Sequence, residues 1–178
     1  MTDAAPSLDA RLARIVAQTP ITDIHTHLYP PSFGALLLRG IDDLLTYHYL
    51  VAETLRWRTD VPHDAFFARP VAAQADMVWQ TLFCERAPVS EYARGVLTIL
   101  QAYGLDVAAR DLAAYRRFFA GLDADAHVNQ AMRLANVKTI VLTNDPFDDV
   151  ERACWERGAL VDARFRNEIG RASCRERV

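Results

Sequence analysis

The sequence predicts an α/β protein whose parallel sheet is started early, interrupted by a long helical stretch and resumed late. Three observations carry that expectation. Ile21 to Tyr29, I-T-D-I-H-T-H-L-Y, follows an amphipathic run, begins just after Pro20 and stops at Pro30-Pro31, so it reads as a short strand giving way to a loop. Val137 to Thr143, V-K-T-I-V-L-T, is rich in β-branched residues, too short for a helix and closed by Asn144-Asp145-Pro146, a strong turn signal. Between the two lie helical patterns punctuated by Pro and Gly. A strand, a helical connection, a second strand and a helix make the opening of a parallel architecture, whose functional loops lie at the carboxyl ends of the strands.

Taken in order, Ser7 to Gln18 sets Leu8, Leu12, Ile15 and Val16 at helical spacing with Ser7 as a cap. The first strand spans about 21–27. Pro30, Pro31, Ser32 and Gly34 then make a loop, and Asp42 opens a helix that places Leu44, His48, Val51 and Leu55 on one stripe. Pro62 and Pro70 bracket a broken segment around Phe66 and Phe67. From Val71 to Phe83 the pattern is helical until Pro88 stops it, and a further helix starts at Pro88 or Ser90 and ends at Gly104. Asp106 to Ala120, ending at Gly121, repeats the design, and Asp123 caps a helix through Val128, Met132 and Leu134. The helical insertion thus occupies about 41–135, the second strand about 137–143, and a last helix runs from about Asp148 to Arg157. The aromatic residues of these helices read as core packing.

Composition excludes several classes. At 178 residues, 51% hydrophobic and 24% charged, the chain suits one globular domain rather than a disordered chain or coiled coil. A net charge of −3 gives no basic field, and with no Lys/Arg stripe before the last few residues a nucleic-acid partner is not expected. No apolar run has membrane-spanning length and Met1 to Gln18 lacks the apolar centre of a secretion signal, so the expected location is cytoplasmic and away from membranes. Cys84, Cys154 and Cys174 follow no metal-ligand spacing and read as reduced thiols.

Chemistry concentrates where the strands end. Side chains two apart on a strand point the same way, so Asp23, His25 and His27 would share a face, with Ile24, Thr26 and Leu28 on the other. Neutral imidazoles suit zinc and similar divalent ions, and a catalytic metal site keeps one position open. H-x-H alone is a short pattern that also arises by chance. His48, early in its helix, reads from its own surroundings as a surface or core-edge histidine. Asp145 is as readily a turn-forming side chain as a site residue.

The T-D-I-H-T-H-L stretch, the His48-Tyr49 pair, the segment N-V-K-T-I-V-L-T-N-D-P and the D-D-V-E that follows it resemble, in order and spacing, the uronate isomerase (glucuronate isomerase) family of the amidohydrolase superfamily. The resemblance covers roughly Ile21 to Arg157 and is weakest between Pro62 and Asp123. It implies the amino-terminal part of a (β/α)8 metal-dependent hydrolase-like barrel, with a large helical insertion between strands one and two. It also implies aldose-ketose isomerisation of a sugar acid such as D-glucuronate or D-galacturonate, a divalent metal with zinc the first choice, and His25 and His27 as ligands. His48 and Tyr49 become contacts or proton-handling groups near the sugar, and Asp145 the acidic turn after strand two. Two departures leave the sugar open: Ala52 stands where the family carries a basic residue four positions after the helix His, and Asn144 replaces the first acid of the turn.

Physical chemistry fits such a reaction. Moving a proton between adjacent carbons of a hydroxy-aldehyde needs a base and a group that holds the developing enediolate. A sugar carboxylate wants an Arg clamp, for which Arg56 or Arg58 is available, although both also read as solvated helix charges. A full barrel needs about 250 residues, so residues 1–166 are expected to form a partial barrel that is inactive alone, and a homo-oligomer of the full-length protein is left open. Residues 167–178, N-E-I-G-R-A-S-C-R-E-R-V, lose apolar periodicity and read as a non-native tail. Two alternatives stand beside the isomerase: a metal-dependent hydrolase of the same superfamily, and a non-enzymatic helical module.

Overall fold

The Ser7 hydroxyl accepts the Ala10 N–H at 3.2 Å and starts α1, Leu8–Gln18. Its apolar stripe is as expected from spacing, yet Leu8, Leu12, Ile15 and Val16 are all more than half exposed and α1 buries none of its residues. In this computed structural model, residues 6–26, 28–145, 147–158 and 162–169 are described. The chain divides into two units, one made of Met1–Leu37 with Ala124–Val178 and the other of Leu38–Asp123.

The first unit is built on a three-stranded parallel sheet of order β1-β2-β3: β1 Ile21–Thr26, β2 Val137–Asn144 and β3 Phe165–Ile169. Strand two lies parallel beside strand one, as the sequence predicts, with Ile21 opposite Val137 and Thr26 opposite Leu142. Asn136 fixes where they start. At φ +52 it takes the left-handed conformation that Asn tolerates, its carbonyl accepts the Ile21 N–H at 2.9 Å, and its amide donates to the Ala17 and Thr19 carbonyls. The core of this unit is small. From α8, Ala124–Leu134, Val128 and Met132 pack with Ile140, Leu142, Phe165 and Leu37, and each fully buried aliphatic side chain contributes about 1.5–3 kcal/mol of transfer free energy. Residues 124–135, expected to close the helical insertion, therefore belong with the sheet.

β3 is absent from the sequence expectation, and the break expected between 166 and 167 falls inside it. Parallel pairing of Ile140 with Phe165 through Asn144 with Ile169 holds the strand, and Phe165 is buried. A fork from Arg164 to Asp162, 3.0 Å from Nε and 2.6 Å from an outer nitrogen, shapes the turn before it, while the Arg164 carbonyl accepts the Ile140 N–H at 2.8 Å. Residues 170–178 lie outside the described residues. The helix after β2 is α9, Asp149–Glu156, capped by the Asp148 carboxylate on the Val150 and Glu151 N–H groups.

The second unit is helical throughout its described elements. The single helix expected from Asp42 is two: α2, Ile41–Leu45, and α3, His48–Trp57. The Thr46 hydroxyl turns back to donate to the Asp42 carbonyl at 2.8 Å and Tyr47 takes an extended conformation, which ends one helix and starts another. His48 is consequently the first residue of α3 rather than a mid-stripe position. The segment between Pro62 and Pro70 forms a short helix, α4, His63–Phe67, which buries Phe66 completely. α5, Val71–Trp79, runs on into a π turn, Gln80–Cys84. α6, Glu91–Ala102, starts at a Ser90 cap, with Gly104 just beyond its end at φ +78 as the punctuation suggests. α7, Leu112–Ala120, begins later than predicted because the Asp111 carboxylate accepts the Ala114 N–H at 2.9 Å and caps it there. The core gathers Leu45, Phe66, Val78, Leu100 and Tyr115, with Trp79 stacked on Phe83 at 4.5 Å.

Candidate functional site at the strand ends

Two short polar side chains shape the end of β1. The Asp23 carboxylate accepts the His25 N–H at 3.0 Å, and the Thr26 hydroxyl accepts the Leu28 N–H at 3.2 Å. Such local bonds compete with the sheet ladder, and the register answers: Asp23 pairs with Ile140 and Thr26 with Leu142, so β1 carries one residue more than β2 over this span. This is a bulge, the device that re-aims a side chain beside a site. It falls between Asp23 and Thr26, within the stretch where the sequence expects two-residue alternation. Ile24, expected on the face opposite Asp23 and His25, is 71% exposed, while Asp23 and Thr26 are half-buried and His25 is exposed. His27 lies outside the described residues.

Asp145 follows β2, at the carboxyl end of the strand paired with β1, and is half-buried. Its Oδ1 accepts the Phe147 N–H at 2.9 Å and its carbonyl accepts the Asp148 N–H at 3.1 Å, so the side chain is engaged as a turn former. Its own N–H donates to Glu151 Oε2 at 3.0 Å. The other oxygen of Glu151 accepts the Tyr29 hydroxyl at 2.7 Å. Burial, together with that hydrogen bond and the carboxylate's charge, pushes the Tyr29 phenol well above its ordinary range. Phe33, 2% exposed, stacks on Tyr29 at 5.5 Å and meets Trp155 edge-on at 5.2 Å, while the Cys154 thiol approaches the Phe33 carbonyl at 3.8 Å. Sequence reasoning assigned no role to Tyr29 or Glu151. The only signal was the D-D-V-E stretch, in which Glu151 sits three residues after the helix cap.

In the helical unit, His48 and Tyr49 are exposed at the start of α3 with ring centroids 4.0 Å apart. Tyr49 also stacks on Tyr92 at 4.3 Å with planes 7° apart. Residues 49, 52, 53 and 56 share one helical face, and Tyr49, Glu53 and Arg56 line a recess of about 550 Å³ with Trp57, Ser90 and Tyr92. Glu53 is held there by the Ser90 hydroxyl at 2.7 Å, and Arg56 makes no ion pair among the described residues. The structure thus joins Tyr49 and Arg56 in one concave surface offering a cation, an anchored carboxylate and aromatic walls. Arg58, the other candidate clamp, is taken up by a two-pronged pair with Asp60 at 2.9 Å.

Among the described residues no group of three His, Cys, Asp or Glu side chains is placed to hold a metal. His25 is one imidazole of the expected pair, whereas a catalytic zinc keeps three protein ligands. The described residues alone do not complete such a site.

A small three-stranded parallel sheet, with a helical unit between β1 and β2 in the chain and Asp145 just after β2, defines a helix-rich mixed α/β protein. No protein-family model and no curated protein matches the chain. Among solved structures, a uronate isomerase from Bacillus halodurans is 50% identical, with a TM-score of 0.85 over 92% of this chain and 39% of that one. The chain is similar to that uronate isomerase over nearly its whole extent and spans about two-fifths of that relative's length.

Proposed function

We propose that the chain is the part of a uronate isomerase that supplies strands one and two, with the helical unit between them. The full-length protein then interconverts an aldose uronate, D-glucuronate or D-galacturonate, with its ketose, in the cytoplasm. One observation carries this reading: half of the aligned residues are identical to a uronate isomerase over nearly the whole chain, with the same fold. The bulged end of β1 supports it, because bulges cluster beside sites. In this reading His25 and His27 are ligands of a divalent ion, which groups outside the described residues must complete. His48, Tyr49 and Asp145 serve the sugar and its protons, and Arg56 receives the carboxylate.

The test incubates the protein encoded by the complete genomic reading frame with each uronate and follows ketose formation. Turnover of at least one is expected. No turnover of any uronate would sink the reading. A second measurement is independent of activity: zinc, cobalt or manganese binding by the purified protein, lost on His25→Ala plus His27→Ala. Unchanged binding in that double variant would remove the ligand assignment. The isolated 178-residue chain is expected to turn over neither substrate.

A further inference from the structure

One carboxylate joins the two strand-end loops of the sheet unit. Glu151 stands in the first turn of α9, with one oxygen accepting the Tyr29 hydroxyl at 2.7 Å and the other the Asp145 N–H at 3.0 Å. Tyr29 lies in the loop leaving β1, two residues after His27, and Asp145 is the first residue after β2. The loop has a second, apolar anchor on α9, where buried Phe33 rests between the rings of Tyr29 and Trp155. An apolar contact fixes the loop's depth but tolerates sliding. A hydroxyl and an amide aimed at the two oxygens of one carboxylate define both distance and direction.

We propose that Glu151 is a positioning residue, whose carboxylate sets the spacing between the strand-one loop carrying Tyr29 and the strand-two turn carrying Asp145. Its kinetic consequence rests on the isomerase reading; the bridge itself does not. Glu151 touches no reacting atom in this account. It acts through the two loops, and misplacing reacting groups by about 1 Å costs up to about a hundredfold in rate.

The experiment has two arms. In the full-length enzyme, Glu151→Ala is expected to lower kcat by about ten- to a hundredfold with KM within about threefold. Tyr29→Phe, which keeps the ring on Phe33, gives a smaller fall, and the double variant is no slower than Glu151→Ala because both act through one bridge. Glu151→Gln restores most of the rate, since its oxygen can accept the Asp145 N–H while its amide donates to the Tyr29 oxygen. In the 178-residue chain, the Asp145 amide exchanges faster in Glu151→Ala than in wild type or Glu151→Gln. Folded Glu151→Ala enzyme with wild-type kcat overturns the proposal and leaves the isomerase reading standing, and unchanged Asp145 exchange in Glu151→Ala overturns the bridge. A wild-type enzyme inactive on every uronate removes the isomerase reading and the positioning role with it, while faster Asp145 exchange would still uphold the bridge.

Discussion

Phe33→Ala tests whether the strand-one loop depends on α9. The ring is 2% exposed and packs between Tyr29 and Trp155 at centroid distances of 5.5 and 5.2 Å. Deleting a buried Phe side chain costs about 3–5 kcal/mol, and the two ring contacts account for about 0.5–1.5 kcal/mol each within that. Tyr29 and Trp155 are only half-buried and can settle into part of the space, so the low end, about 3 kcal/mol, is expected. Against a total of about 5–15 kcal/mol for a domain this is a large fraction. With a urea slope of about 2 kcal/mol/M, the unfolding midpoint of the 178-residue chain falls by about 1.5 M. Phe33→Leu keeps most of the volume and loses the ring contacts, so it costs about 1–2 kcal/mol. Amide exchange should quicken first in α9 and in residues 28–34, where the support is lost. A cost below about 1 kcal/mol for Phe33→Ala, or faster exchange spread evenly over both units, would refute the anchor.

Three further outcomes follow from single groups. Arg116 bonds Asp42 at 2.8 Å, Asp76 at 2.8 Å and the Ala72 carbonyl at 2.9 Å; Arg116→Met strands the mostly buried Asp42 carboxylate and costs about 2 kcal/mol, whereas Asp76→Asn, at an exposed partner, costs at most about 0.5 kcal/mol, both read by urea unfolding. Among the described residues Thr81 Oγ1 is buried without a hydrogen-bond partner, so Thr81→Val is neutral or stabilising by up to about 1 kcal/mol in thermal melts, and a loss above that value would show that the hydroxyl is bonded. Hydrogen bonds from Arg164 hold the Asp162 carboxyl below the usual carboxylate range. Because the folded value is the lower one, its stabilisation is present above the unfolded value of about 3.9 and is lost as pH falls through the folded value. Wild type should therefore lose more stability than Asp162→Asn on acidification from about pH 5 to pH 2, and equal losses would contradict the pairing.

The parts of the fold legible in the sequence were those with local chemical punctuation. Pro20 and Pro30-Pro31 delimit β1, Asn144-Asp145 closes β2, Ser90 and Gly104 bound α6, and Asp148 caps α9, each acting within a few residues of its element. What stayed hidden needed a distant partner or a local competition. β3 reads as polar because Arg166, Asn167 and Glu168 interrupt its apolar pattern, and its existence depends on pairing with β2. The break at Tyr47 comes from a Thr46 hydroxyl that turns back on Asp42, in a stripe that otherwise continues through both helices. α1 shows the converse, since its periodicity was plain while nothing among the described residues buries it.

The candidate site divides along the same line. H-x-H and the acidic turn stand out in the sequence because imidazoles and carboxylates are the residue types that metal and proton chemistry uses, and the stop signals around them point to strand ends. Alternation treats β1 as a uniform ladder, whereas its register with β2 shifts between Asp23 and Thr26. Asp23 and Thr26 have side chains short enough to reach the backbone two residues on, and both do so. The residues that give the strand end its polar character therefore also bend it, and the register shift between Asp23 and Thr26 is the result. Facing at such a position is set by the bulge, so Asp23→Ala should restore the ladder through His25 and turn its side chain; an unchanged environment of the His25 imidazole in NMR spectra of that variant would show that something other than Asp23 holds the bulge.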